Sequence, residues 1–168
     1  MEQMPEVIFD CCVLSNFALS HSLPIIKSLY TNTPYITDFV SAEILRGIQK
    51  EYRELTRIKE AIRAGWLKET VLRTKEEKAI FESLSVSLGW GEASSITVAK
   101  VRGLIFACDD KVARREASLL GVRLTGTLGI LKKALRKKIL SLKEADQILN
   151  TMIAHGFYSP VRSIKEIS

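Results

Sequence analysis

Two short apolar runs each end on an acid, and that pattern constrains the fold more than any other stretch. Val7-Ile8-Phe9 leads into Asp10, and Leu104-Ile105-Phe106-Ala107-Cys108 leads into Asp109 and Asp110. Continuous apolar runs of this length read as strands buried on both faces, as in a parallel sheet covered by helices. An acid at the exit of such a strand lies at the carboxyl edge of the sheet, where open α/β folds bind ligands.

The rest of the chain alternates in the same way. Val13–Leu19 reads as a short helix, and His21-Ser22-Leu23-Pro24 as a break where Ser22 caps the next helix, with Ile25, Ile26 and Leu29 on its apolar side. Pro34-Tyr35-Ile36-Thr37 reads as a strand, followed by a helix from Thr37 or Asp38 carrying Val40, Ile44, Leu45 and Ile48. Leu55, Ile58 and Ile62 mark an amphipathic helix over 52–64, and Trp66–Val71 a further strand. Helices follow over 75–87 and from Glu92, the latter carrying Ala93, Ile96 and Ala99 and ending at Gly103. Beyond Asp110 come a helix with Ala113, Ala117 and Leu120, a strand over Val122–Leu124, and a helix capped by Thr125-Gly126-Thr127 with Leu128, Leu131 and Leu135 inward. A last helix spans 143–154, and 159–167 adds a turn or two. No repeat or linker interrupts this order, so one domain over 1–168 with a mostly parallel sheet between helical layers is expected.

Composition narrows the class. Of 168 residues, 46% are hydrophobic and 26% charged, as in an ordinary globular chain. The net charge of +6 is compatible with a polyanionic partner and equally with a solvated Lys-rich surface. Three cysteines (Cys11, Cys12, Cys108), two histidines and no CxxC argue against a disulfide framework or a structural zinc site. The polar, acidic start Met1–Glu6 does not read as a signal peptide, so a cytoplasmic location is expected.

Four acids can converge. Asp10 and Asp109 end strands, while Glu43 and Glu92 lie near helix starts, and in a parallel sheet strand exits and the helices that follow share one edge. Clustered carboxylates repel unless a cation intervenes, and hard oxygen ligands suit Mg²⁺ or Mn²⁺. Each acid also has an ordinary alternative. Asp10 can be a cap, Asp109 and Asp110 an Asx turn and a cap, Glu43 a solvated helix residue, and Glu92 a partner of the helix dipole. Cations close in sequence to these acids are Arg46, Lys111, Arg114 and Arg115; the outward face of 132–138 is a second basic candidate. Thr125-Gly126-Thr127-Leu128-Gly129 lacks the GxxxxGK[ST] pattern of a phosphate loop. Trp66 and Trp90 read as core or rim residues rather than base-stacking platforms.

Together, Val7-Ile8-Phe9-Asp10, Ala42-Glu43-Ile44-Leu45, Gly91-Glu92-Ala93-Ser94-Ser95-Ile96 and Ala107–Arg114 resemble the PIN-domain proteins, a group of metal-dependent nucleases. The stretch Gly121-Val122 through Thr125-Gly126-Thr127-Leu128-Gly129-Ile130-Leu131 resembles a stand-alone prokaryotic subgroup of that family. The resemblance implies a three-layer α/β/α sandwich and hydrolysis of RNA with Mg²⁺ or Mn²⁺. Carried residue by residue, it implies Asp10, Glu43, Glu92 and Asp109 as catalytic acids and metal ligands. Asp110 competes for the fourth place, and Asp109 is favoured because it directly follows the strand. The match at Arg114 marks that residue as a brace for an acid or as an RNA contact. Relatives often act as toxins with a small antitoxin protein, or process RNA, and often form homodimers. One departure stands out: relatives carry Ser, Thr or Asn soon after the first acid, where this chain has Cys11 and Cys12. A thiol is a weak hydrogen-bond partner, which leaves Ser15 or Asn16 to supply the contact. It also leaves a rival reading, a catalytically weak or silent RNA-binding or protein-interaction module on the same scaffold.

Overall fold

The computed structural model describes residues 6–30 and 34–167. The expectation about the start of the chain therefore lies, for Met1–Pro5, outside the described residues. Five short strands form the sheet: β1 (Val7–Phe9), β2 (Tyr35–Thr37), β3 (Lys68–Thr70), β4 (Ile105–Ala107) and β5 (Leu124–Thr125). Their spatial order is β3-β2-β1-β4-β5 and every pairing is parallel. Among the described residues nine α-helices connect and flank them: α1 (Cys11–Leu19), α2 (Leu23–Leu29), α3 (Asp38–Gln49), α4 (Thr56–Ala64), α5 (Lys75–Leu84), α6 (Trp90–Arg102), α7 (Lys111–Leu119), α8 (Thr127–Arg136) and α9 (Leu142–Ala154).

Alternation along β1 and β4 divides the core in two. Val7, Phe9 and Ala107 face a cluster built from α1, α2, α3, α4, α8 and α9, including Leu14, Phe17, Ile26, Ile58, Ile130 and Leu149. Ile8, Phe106 and Cys108 face the opposite cluster with Leu84, Ala93, Ile96, Ala113 and Ala117 from α5, α6 and α7. The result is the three-layer α/β/α sandwich, and its sheet is parallel throughout.

Several boundaries differ from the sequence reading, each for a local reason. Helix α1 begins at Cys11, directly after Asp10, and α6 begins at Trp90 with Gly89 as its N-cap residue. The helix expected over 52–64 opens instead with a 3₁₀ turn, Arg53–Leu55, before α4, a frequent form for a first turn. Strand β3 is limited to the three residues that pair with β2. Strand β5 lies further along than expected: Thr125 pairs with Ala107, while Val122 is buried before the strand. Ser22 occupies the N-cap position of α2 without capping, because its hydroxyl bonds Ser20. Leu45 of α3 is 44% exposed.

One polar clamp ties the β3 side together. Arg102, at the end of α6, donates to Glu77 Oε2 at 2.8 Å, to Thr70 Oγ1 at 2.7 Å and to the Val71 carbonyl at 2.6 Å. Glu77, only 2% exposed, also closes a capping box with Thr74 at the start of α5. Among the described residues no helix is long and apolar enough to cross a membrane.

Candidate active site

The strand order places the site. β1 and β4 are neighbours, but the chain leaves β1 toward β2 on one side and continues from β4 toward β5 on the other. That reversal is a topological switch point, and the crevice outside its carboxyl ends is where such sheets bind ligands. Asp10 leaves β1 and Asp109 leaves β4 at this point.

Asp10 sits deepest, at 2% exposure. Burial, then the charges of Glu92 and Glu43, push its carboxyl up to about 7, from an ordinary 3.8. The amides of Cys11 and Cys12 oppose that rise without closing into a cap hydrogen bond. The Cys108 sulfur lies 3.9 Å from Asp10 Oδ2. Burial and the charge of Asp10 hold that thiol well above its ordinary range, so it stays a weak, protonated donor.

Glu43 comes from α3 and Glu92 from the first turn of α6. Both are half-buried, and burial raises both carboxyls. The Gly91 amide and the nearby Arg46 counter the rise at Glu43, whereas Asp110 and Glu43 add to it at Glu92. The glycine makes room for this carboxyl: a Cβ at position 91 would stand 2.8 Å from Glu43 Cδ and displace the end of that side chain. No residue pattern in the sequence signals that this glycine seats an acid from another helix.

Asp109 and Asp110 diverge. Asp109 accepts from the Thr127 amide at 2.9 Å, from Thr127 Oγ1 at 2.6 Å and from Asn16 Nδ2 at 3.3 Å. Its carboxylate therefore caps α8 from another strand, which explains why α8 starts after Gly126 with no capping side chain of its own. Asn16, one of the two residues looked to for a polar contact after Asp10, holds Asp109 and also donates to Thr127 Oγ1 at 3.1 Å. Ser15 instead meets the Cys11 sulfur at 3.7 Å. Asp110 caps its own helix, accepting from the Ala113 amide at 2.9 Å, and faces Glu92 electrostatically. Asp110 thus fulfils the cap reading open in the sequence, whereas Asp109 caps a later helix than the one expected.

The four cations separate. Arg46, Lys111 and Arg115 are exposed. Arg114 is half-buried, and its Nη1 donates to the carbonyls of Cys108 at 2.7 Å and Thr125 at 2.9 Å. It joins the ends of β4 and β5 and holds backbone where the sequence left open an acid or RNA. On α8, Lys133 lies over the Tyr30 ring at 4.5 Å, so part of the second basic face is packed rather than free.

The family model DUF3368, a PIN domain, matches residues 6–168. The chain belongs to the PIN-domain family. PIN domains are generally nucleases, so the acids at the switch point stand on a nuclease-type fold. No curated protein matches the chain.

Whether these residues suit a divalent metal can be judged from the donor set. Asp10, Glu43, Glu92, Asp109 and Asp110 offer only carboxylate oxygens, and the carboxyls of Asp10, Glu43 and Glu92 are all raised, first by burial. Among the described residues no three His, Cys, Asp or Glu side chains form a ready-made cage. An all-oxygen donor set of this kind suits a hard divalent cation.

Proposed function

We propose that this chain is a Mg²⁺- or Mn²⁺-dependent endoribonuclease acting as a single PIN-like domain over 1–168. The observation that carries the reading is the placement of Asp10, Glu43 and Glu92 at the switch point, where the charges of Glu92 and Glu43 add to burial in raising Asp10 and a divalent cation would offset them. In this reading Asp10, Glu43 and Glu92 would close around the metal as it binds, since among the described residues they do not form a ready-made cage. Asp109, fixed by Thr127 and Asn16, and Asp110 complete the acidic wall on the β4 side. When bound, such an ion activates water and neutralises charge on a phosphodiester under in-line attack. The buried Asp10 sets the depth of the site, and Gly91 brings the start of α6 against Glu43. Arg46, Lys111 and Arg115 hold the RNA backbone, while Arg114 keeps the β4 and β5 exits in place. The products are a 5′-phosphate and a 3′-hydroxyl.

The test is incubation with unstructured RNA in Mg²⁺ or Mn²⁺ and then in chelator, beside Asp10→Asn and Glu92→Gln. Cleavage should require metal and fail in both variants; cleavage that survives chelation or both substitutions refutes the proposal. RNA retained but never cut would instead identify the silent scaffold that Cys12 keeps open. The toxin role predicts a neighbouring open reading frame for a small DNA-binding antitoxin, and its absence would favour RNA processing.

A further inference from the structure

Trp90 is 65% exposed although it opens the helix that carries Glu92. It is held rigidly from behind. Its ring meets Phe39 edge-on, with centroids 5.8 Å apart at 75°, and Phe39 stacks on Phe81 at 5.0 Å and 22°. This three-ring stack joins the first turns of α3 and α6 to α5. Phe39 precedes Glu43 by four residues on α3, which puts both on one helix face, whereas Trp90 and Glu92, two apart on α6, point to different sides. The stack therefore adjoins one of the site acids, Glu43, whose carboxyl also lies against Gly91, the residue after Trp90.

We propose that the exposed Trp90 indole is a stacking platform for an unpaired base of single-stranded RNA, next to the phosphodiester held at the acids. The inference rests on the nuclease reading and names its substrate class. A base presents a π-face whatever its identity, and aromatic platforms beside backbone-binding sites are how single strands are held without sequence preference. A second copy of the chain suits this surface poorly. One indole offers about 200 Å², far below the roughly 800 Å² per partner of a stable interface. Phe39 and Phe81, half-buried behind it, add little exposed area.

The test uses Trp66→Phe protein, which leaves Trp90 as the sole tryptophan, combined with Asp10→Asn so that RNA survives. Titration with a short unstructured RNA should quench Trp90 fluorescence, whereas the same sequence as a duplex should not. Trp90→Ala and Trp90→Leu, checked for folding by circular dichroism, should each bind the single strand about tenfold more weakly, and Trp90→Tyr should restore most of the affinity. Unchanged affinity in Trp90→Ala or Trp90→Leu, or equal quenching by the duplex, overturns the proposal. So does a dimer that Trp90→Ala converts to monomer at unaltered RNA affinity, because the ledge is then an interface between copies. Cleavage by the unsubstituted chain is scored separately. Metal-dependent cutting without stacking refutes the platform alone, and stacking without cutting supports it while refuting the nuclease.

Discussion

Asp10 is the residue on which pH and metal should act together. Between its ordinary value of 3.8 and about 7, the folded, metal-free chain holds a proton there that the unfolded chain releases. Stability in chelator should therefore fall as pH rises through that window, by on the order of 4 kcal/mol when Asp10 is fully ionised. Glu43 and Glu92, also raised, act in the same direction. Asp10→Asn should remove most of this slope and the stabilisation that Mg²⁺ gives near neutral pH. Thermal unfolding of both proteins across the window, with and without metal, checks this; parallel pH profiles would refute it. A second residue-scale prediction concerns Arg114. An ammonium cannot serve two carbonyls as the guanidinium does, so Arg114→Lys should lose about 1–3 kcal/mol of stability. At a temperature where it is folded, its RNA affinity should match the parent; a loss of affinity with intact stability would make Arg114 an RNA contact instead.

At the scale of elements, two glycines in helix starts should respond to alanine in opposite ways. Gly91→Ala adds helix propensity, worth up to about 1 kcal/mol, and its Cβ meets only the movable end of Glu43. It should keep or gain stability while losing about 100-fold in cleavage through a displaced carboxylate. At Gly126 the Cβ would stand 2.6 Å from Asp109 Oδ1 and 3.1 Å from the Cys108 carbonyl, which is backbone and cannot swing aside. Gly126→Ala should therefore lose stability as well as activity; thermal melts beside cleavage rates separate the two cases. These helix starts also mark what the sequence could reveal. Apolar strands and the acids at their exits were legible because short buried runs and parallel topology send them to one edge. The cap of α8 was not, because its acceptor is Asp109, a side chain from another strand. The start of α6 at Trp90 was hidden because Gly89 gives no capping signal. The role of Arg114 was half visible: the motif match left it as a brace for an acid or an RNA contact, and only the paired ends of β4 and β5 identify what it braces.

For the whole molecule the deciding quantity is where its charge lies. The net charge is +6, yet the proposed reaction centre is a pit of carboxylates, so the attraction for RNA must come from the rim. Arg46, Lys111 and Arg115 are exposed near the cleft acids in sequence, whereas Arg114 is committed to backbone and Lys133 to the Tyr30 ring. Each rim cation that neutralises a phosphate releases counterions, and for a single strand it contributes about 0.7 to the slope of log affinity against log salt. Lys111→Ala and Arg115→Ala should each lower that slope by about this amount, and do so equally for RNAs of different sequence. Lys132→Ala, on the second basic face, should leave it unchanged if the strand follows the acidic edge. Trp90→Ala should weaken binding without changing the slope, because stacking releases no counterions. Filter-binding titrations at several salt concentrations separate the three cases. An unaltered slope in both rim variants with a reduced slope in Lys132→Ala would move the RNA path off the switch-point edge and onto α8.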